Sequence, residues 1–189
     1  MRVYHGCATE LKTPEVARSR EDIDFGVGFY TTQDPLMAKK WASNKARSFV
    51  NTYDLDLSGL RVKQLKLDME WLDYVVSNRT FGSCPKPFND AEYDVIIGPT
   101  ADDKVFVVAD LYIDGMIRAD DAMKVLSCVK HSDQIVLKTQ DTVNRALTFI
   151  ESKQLYGQEK DHFKELFMAD SKRGAERAKQ ILFDITRGR

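Results

Sequence analysis

The stretch DFGVGFYTTQDPLMAKKWA, Asp24 to Ala42, runs from a glycine-rich approach through a short aromatic and β-branched segment into a helix start. GFYTT has the content of a strand. Asp34 followed by Pro35 reads as an N-cap with proline at the first helical position. Leu36, Ala38, Trp41, Ala42 and Ala46 then supply a buried side for a helix from Pro35 to about Ser48. A dinucleotide fingerprint needs strand, glycine turn and helix N-terminus in that order. Here Gly26 and Gly28 precede the strand and no third glycine opens the helix, so that motif is excluded. The two glycines instead predict positive φ and close backbone approach, on a path that ends at Tyr30.

Working outward, RVYHG (2–6) is a strand closed by Gly6, and the polar residues that follow form a loop with one helical turn. FVNTYDLDL (49–57) alternates as a strand, Ser58 and Gly59 make a turn, and RVKQLKLD (61–68) alternates again, as in a hairpin. EWLDYVVSNR (70–79) has helical spacing. TFGSCPKPFNDAE (80–92) is an exposed loop. YDVIIGP (93–99) is a buried strand followed by the acidic TADD, DDAMKVLSCVK (120–130) an amphipathic helix, and DQIVLKT (133–139) the last strand. From Thr139 the chain reads as helical to its end, capped by Asp141 and broken near Gly174. The strands are not regularly separated by crossover helices, so the expected class is α+β rather than doubly wound.

With 189 residues, 43% hydrophobic and 30% charged, the chain suits one domain. A net charge of -1 gives no global case for nucleic acid or an anionic membrane. Residues 172–189 are locally basic, with six cations against Glu176 and Asp184; such a run is usually a solvated helix face, with a nucleic-acid or acidic-protein contact as the alternative. The N-terminus lacks a signal-peptide run and no window approaches a membrane span, so the expectation is a cytoplasmic protein without a membrane segment. Cys7, Cys84 and Cys128 are odd in number and scattered, which reads as reduced thiols. There is no P-loop, HExxH, GxSxG or EF-hand loop. Asp102 and Asp103 read first as a solvated turn.

Tyr4-His5-Gly6 on the first strand, FGVGFYTT some two dozen residues later, and an aromatic eleven positions after Tyr30 together resemble the core of the ADP-ribosyltransferases of the diphtheria-toxin and poly(ADP-ribose) polymerase type. The resemblance implies a split β-sheet core over residues 1–150 that binds NAD, with residues 151–189 as a helical C-terminal extension packed on the same domain. It assigns His5 to the adenosine-side ribose hydroxyls and the Gly6 backbone to the carboxamide. Tyr30 and Trp41 become the two sides of a nicotinamide sandwich, with Gly28 and Thr31 in the NAD-binding set. A flat cationic ring between two aromatics gains about 0.5–1 kcal/mol per exposed contact, and more when desolvated.

The family's third triad residue is usually a glutamate opening a late strand, and the matching position here is Gln134. A glutamine can hydrogen-bond the ribose but brings no negative charge to the developing cation. The triad is therefore His5, Tyr30 and Gln134, unless Asp102, Asp103 or Asp133 supplies the charge; strand alternation turns Asp133 away from the Gln134 face. Cys7 and Ala38 replace a small hydroxyl residue and a serine common in the family. Asn51, Asn78 and Arg79 stay open between structural and ligand roles, Arg79 being able to reach a pyrophosphate. The implied activity is NAD-dependent mono-ADP-ribosyl transfer to a protein or nucleic-acid acceptor, without a metal. The nearest resemblance is to a bacterial branch that includes toxins of toxin and antitoxin pairs, which would add an antitoxin protein as partner. The alternatives are an NAD glycohydrolase and a catalytically inactive NAD- or ADP-ribose-binding module.

Overall fold

The computed structural model describes residues 1–19, 23–80, 84–101, 108, 111–112, 114–127 and 131–187. Asp102, Asp103 and Cys128 lie outside the described residues. The fold is α+β, with two sheets. The first, in the order β1-β3-β7, is antiparallel and consists of β1 (Arg2–Cys7), β3 (Phe49–Leu55) and β7 (Leu147–Gln154). The second has the order β2-β6-β5-β4, from β2 (Phe29–Thr31), β6 (Asp133–Leu137), β5 (Val95–Pro99) and β4 (Val62–Gln64). Its pairings are antiparallel except β4 with β5. One isolated bridge, Tyr4 to Thr32, joins β1 to the end of β2 and so connects the sheets.

Strand alternation sorts the core into layers. Val3, Tyr53 and Leu55 of the first sheet meet Phe29, Val95, Ile135 and Leu137 of the second in a shared apolar interior. On the outer face of the second sheet, Ile96 and Val136 pack with Trp71, Leu72 and Val75 of α2 (Met69–Arg79) and with Val125 and Leu126 of α3 (Ala119–Ser127). On the outer face of the first sheet, Tyr4 and Val50 pack with Ala38 and Ala42 of α1 (Pro35–Ser43). Asp34 caps α1 by accepting from the Leu36 N–H at 2.8 Å, with Pro35 at the first position as the sequence predicts.

Four departures from the sequence reading have local causes. α1 stops at Ser43, because Ser43 Oγ and Asn44 Nδ2 both donate back to the Lys40 carbonyl before the chain turns into β3. The turn at Ser58 and Gly59 does not close a hairpin: β4 leaves β3 and pairs with β5 in the other sheet. β6 is not the last strand. α4 (Gln140–Ala146) is short and capped by Thr139 rather than Asp141, and LTFIESKQ then forms β7 along the free edge of β3. The final helix, α5 (Gly157–Arg187), runs through Gly174 without a break.

α5 is docked on α1 and on the turn that follows it. Lys40, buried to 9% exposure, donates to Asp170 at 2.5 Å. Lys39 Nζ sits 4.8 Å from the Phe163 ring centre, and Lys160 Nζ donates to the Lys45 and Ala46 carbonyls at 2.8 Å. The division expected at residue 150 falls inside β7, so the C-terminal segment contributes the second half of that strand to the first sheet as well as a helix.

Gly6 sets how closely α1 lies on β1: a Cβ there would stand 2.1 Å from the Ala38 carbonyl oxygen and 2.8 Å from the Ala42 nitrogen. Both are backbone atoms of a packed helix, so neither can swing aside. Gly6→Ala is therefore expected to lower the unfolding free energy by about 1–3 kcal/mol, the range for overpacking. Urea denaturation measures it, and an unchanged midpoint would show that α1 is free to lift.

Candidate functional site

The two sheets part immediately after the Tyr4–Thr32 bridge. Tyr4 and Thr32 exchange both backbone bonds, Tyr4 N–H to Thr32 O at 2.8 Å and Thr32 N–H to Tyr4 O at 2.9 Å. Continuing that antiparallel register would pair Gly6 with Tyr30. Instead the Tyr30 carbonyl accepts from His5 Nδ1 at 2.7 Å, so a side chain takes the place of the next ladder bond. Backbone groups of alternate residues point the same way along a strand, so the N–H and C=O of Gly6 are directed, like those of Tyr4, toward the opening. Among the described residues they have no backbone partner on that side.

The bond to a carbonyl also fixes the tautomer of His5. Nδ1 must carry the proton, which leaves Nε2 as an acceptor in the neutral ring. Burial, with nearby Lys45 adding to it, outweighs the bond to the Tyr30 carbonyl and holds the imidazole pKa below its ordinary 6.5. The ring lies against Phe29, 4.7 Å between centres.

Tyr30 is tied into the loop that precedes it. Its hydroxyl donates to the Gly26 carbonyl at 2.7 Å and accepts from the Phe25 N–H at 3.0 Å, a closure that Gly26 permits by adopting φ +67°. Gly28 serves otherwise than by a positive φ: a Cβ there would lie 2.5 Å from Val136 Cγ1 and 2.9 Å from the Leu137 oxygen, so its role is close packing on β6. Thr31 is fully buried and its hydroxyl donates to the Ile135 carbonyl at 3.0 Å, which commits it to the strand pair. Beneath the loop, Lys138 Nζ donates to the Phe25 carbonyl and stands 3.5 Å from the Tyr74 hydroxyl and 3.6 Å from Asp90. Burial pulls the Lys138 amine down to about 8.

Gln134 opens β6, buried to 3% exposure, while Asp133 beside it is exposed, as strand alternation predicts. Tyr30 pairs with Val136, so Tyr30 and Gln134 are diagonal neighbours on one face of the second sheet, a separation of roughly 7–8 Å. The Gln134 amide nitrogen donates to Asp24 Oδ2 at 2.9 Å and to the Pro99 carbonyl at 3.3 Å. Asp24, 6% exposed, also accepts from the Ala101 N–H at 2.8 Å and forms an ion pair with Arg79.

Trp41 is half-buried on α1 beside Ala42, whose nitrogen approaches Gly6, and makes no ring contact with Tyr30 or another described aromatic. The residues left open by the sequence have structural partners. Asn51 pins the segment after β1 through Leu11, Thr9 and Cys7. Asn78 Nδ2 donates to the Asp24 carbonyl at 3.1 Å, and Arg79 is engaged by Asp24 and by the Ala101 carbonyl rather than extended toward solvent. Sequence reasoning missed Asp24 and Lys138: each acts across more than a hundred residues, on Gln134 and Phe25 respectively, and neither sits in a local motif.

A family comparison matches residues 1–149 to the family described as "Protein of unknown function (DUF3990)", and the chain belongs to that family. No curated protein and no solved structure matches the chain. No helix among the described residues is long and apolar enough to cross a membrane.

The depressed His5 pKa predicts a pH dependence with a definite sign. Below 6.5 the unfolded chain binds a proton on His5 that the folded chain refuses. The contribution of this group is therefore fully present above 6.5 and is lost as the pH falls toward the folded value. Thermal melts between about pH 7 and 5 should show a smaller loss of Tm for His5→Gln than for the unsubstituted protein. Equal slopes would rule out a His5 held neutral by desolvation.

Proposed function

We propose that this DUF3990 chain is an NAD-dependent mono-ADP-ribosyltransferase, which cleaves the nicotinamide–ribose bond and transfers ADP-ribose to a macromolecular acceptor. The observation that carries the reading is the opening beyond the Tyr4–Thr32 bridge, flanked by His5, Gly6, Tyr30 and Gln134. Two sheets that diverge there, with α1 lying over Gly6, support a split-sheet core of the ADP-ribosyltransferase kind.

Each group has a task that its geometry suits. The Gly6 N–H and C=O, directed into the opening, offer a donor and an acceptor to a carboxamide. Tyr30, fixed through its hydroxyl, offers a ring face to nicotinamide, and Trp41 on α1 closes the other side. His5 Nε2 accepts from a ribose hydroxyl on the adenosine side. Gln134 hydrogen-bonds the nicotinamide ribose. In the reaction the bond between C1′ and the nicotinamide nitrogen breaks, its electron pair leaving with nicotinamide. A lone pair of the acceptor forms the new bond to C1′, and the acceptor gives its proton to solvent. With water as acceptor the same site is an NAD glycohydrolase.

The neutral side chain at position 134 favours one second reading, a module that binds NAD or ADP-ribose without turnover. Incubation of the purified protein with labelled NAD and cell lysate separates the two. Nicotinamide release with transfer of label supports the transferase, whereas NAD binding without release supports the module. For the transferase, Tyr30→Ala should abolish turnover and weaken NAD binding. Gln134→Ala should lower kcat about tenfold or more with a smaller change in KM. Equal losses in both constants for Gln134→Ala would contradict a role in the transition state.

A further inference from the structure

Gln134 stands where a carboxylate would serve the proposed chemistry better, and its surroundings account for the amide. Both amide hydrogens are spoken for by groups that can only accept, the Asp24 carboxylate at 2.9 Å and the Pro99 carbonyl at 3.3 Å. That settles which end of the amide faces inward. Oε1 is then at the other end, and no described residue donates to it. A glutamate in the same rotamer would set a carboxylate against Asp24 and against a carbonyl, with no hydrogen to offer either.

Asp24 is held to this task from several directions. Its Oδ1 is paired with Arg79 and its Oδ2 receives the Ala101 N–H as well as Gln134. Its own carbonyl is bound by Asn78. A buried carboxylate bound in this way stays in place and polarises the amide that donates to it, which moves negative charge onto Oε1.

We propose that Asp24 is a positioning residue for the transfer: it grips Gln134 by the amide nitrogen and turns Oε1 toward the nicotinamide ribose, where Oε1 accepts the 2′-hydroxyl as a carboxylate oxygen would. This rests on the ADP-ribosyl reading above. The charge that position 134 lacks is supplied one bond further back, by an acid that opens the loop ending at Tyr30.

A reciprocal exchange tests it. Nicotinamide release is measured for the unsubstituted protein, Asp24→Asn, Gln134→Glu and the double variant. Asp24→Asn removes the charge and sets an amide nitrogen against either the Gln134 amide and the Ala101 N–H or Arg79, so kcat should fall about tenfold or more while KM for NAD changes less than about threefold. Gln134→Glu brings two carboxylates together and should be inactive at about pH 7.5, with activity rising as the pH is lowered and the pair takes up a proton. The double variant again sets one donor against one acceptor between the two side chains, with an oxygen outward, while the Ala101 N–H and the Pro99 carbonyl lose their partners, and it should turn over faster than Gln134→Glu at about pH 7.5. A double variant no better than the poorer single one overturns the proposal.

NMR of the Gln134 side-chain amide in the unsubstituted protein supplies a readout independent of activity and of variant folding. Its two protons should exchange with solvent far more slowly than those of exposed glutamines, and exchange at the exposed rate overturns the proposal by itself. If the unsubstituted protein releases no nicotinamide, the ADP-ribosyl reading falls and the ribose assignment with it. Slow exchange would then mark the Asp24–Gln134 contact as structural alone.

Discussion

The hydrogen bond from His5 Nδ1 to the Tyr30 carbonyl, 2.7 Å long, is where one architecture becomes another. Where the next ladder bond between β1 and β2 would fall, the Tyr30 carbonyl is taken by a side chain. The strands part after one bridge, and the backbone of Gly6 and the ring of Tyr30 come to border an opening. Both borders of this opening are regular strand, so their spacing follows from strand register. The bond needs only the proton on Nδ1, and desolvation of the ring keeps its pKa below the ordinary value, so Nε2 is left as an acceptor.

A second constraint lies on the other face of the same strands. Asp24 gathers three distant stretches of the chain, with residues 79, 101 and 134 held through its carboxylate and residue 78 through its carbonyl. Burying a charge is favourable only when its partners are well placed, so these three segments must be correctly assembled before the carboxylate can be enclosed. The ion pair thereby couples α2 and the end of β5 to β6, and it fixes the start of the loop on which Tyr30 depends. The two constraints hold β2 from opposite faces, His5 from one and the Asp24 cluster from the other.

What could be read from the sequence was what is locally determined. The Asp34–Pro35 start of α1 was legible because cap and proline act within one turn, and the DQIVL strand because its apolar run is bounded by polar residues. β7 was not legible. LTFIESKQ has no strong preference of its own, and it becomes a strand because β3 offers an unpaired edge more than ninety residues away in sequence. β4 was recognised as a strand but given the wrong partner for the same reason. At the proposed site, His5, Tyr30 and Gln134 are singled out by resemblance to a known arrangement and not by any local physical rule. Asp24 was in plain view at the head of the quoted stretch, yet nothing in its neighbours indicates a contact 110 residues away.

The closure of the Tyr30 hydroxyl on Gly26 and Phe25 has a consequence for affinity. A tyrosine side chain free to rotate must be immobilised by its ligand, at a cost of about 0.5–1.5 kcal/mol in lost rotamer freedom. Here that entropy is surrendered during folding, and the loop and the ring are ordered as one body. If the proposed nicotinamide stacks there, it meets a ring already ordered, and that part of the entropy is not charged to binding.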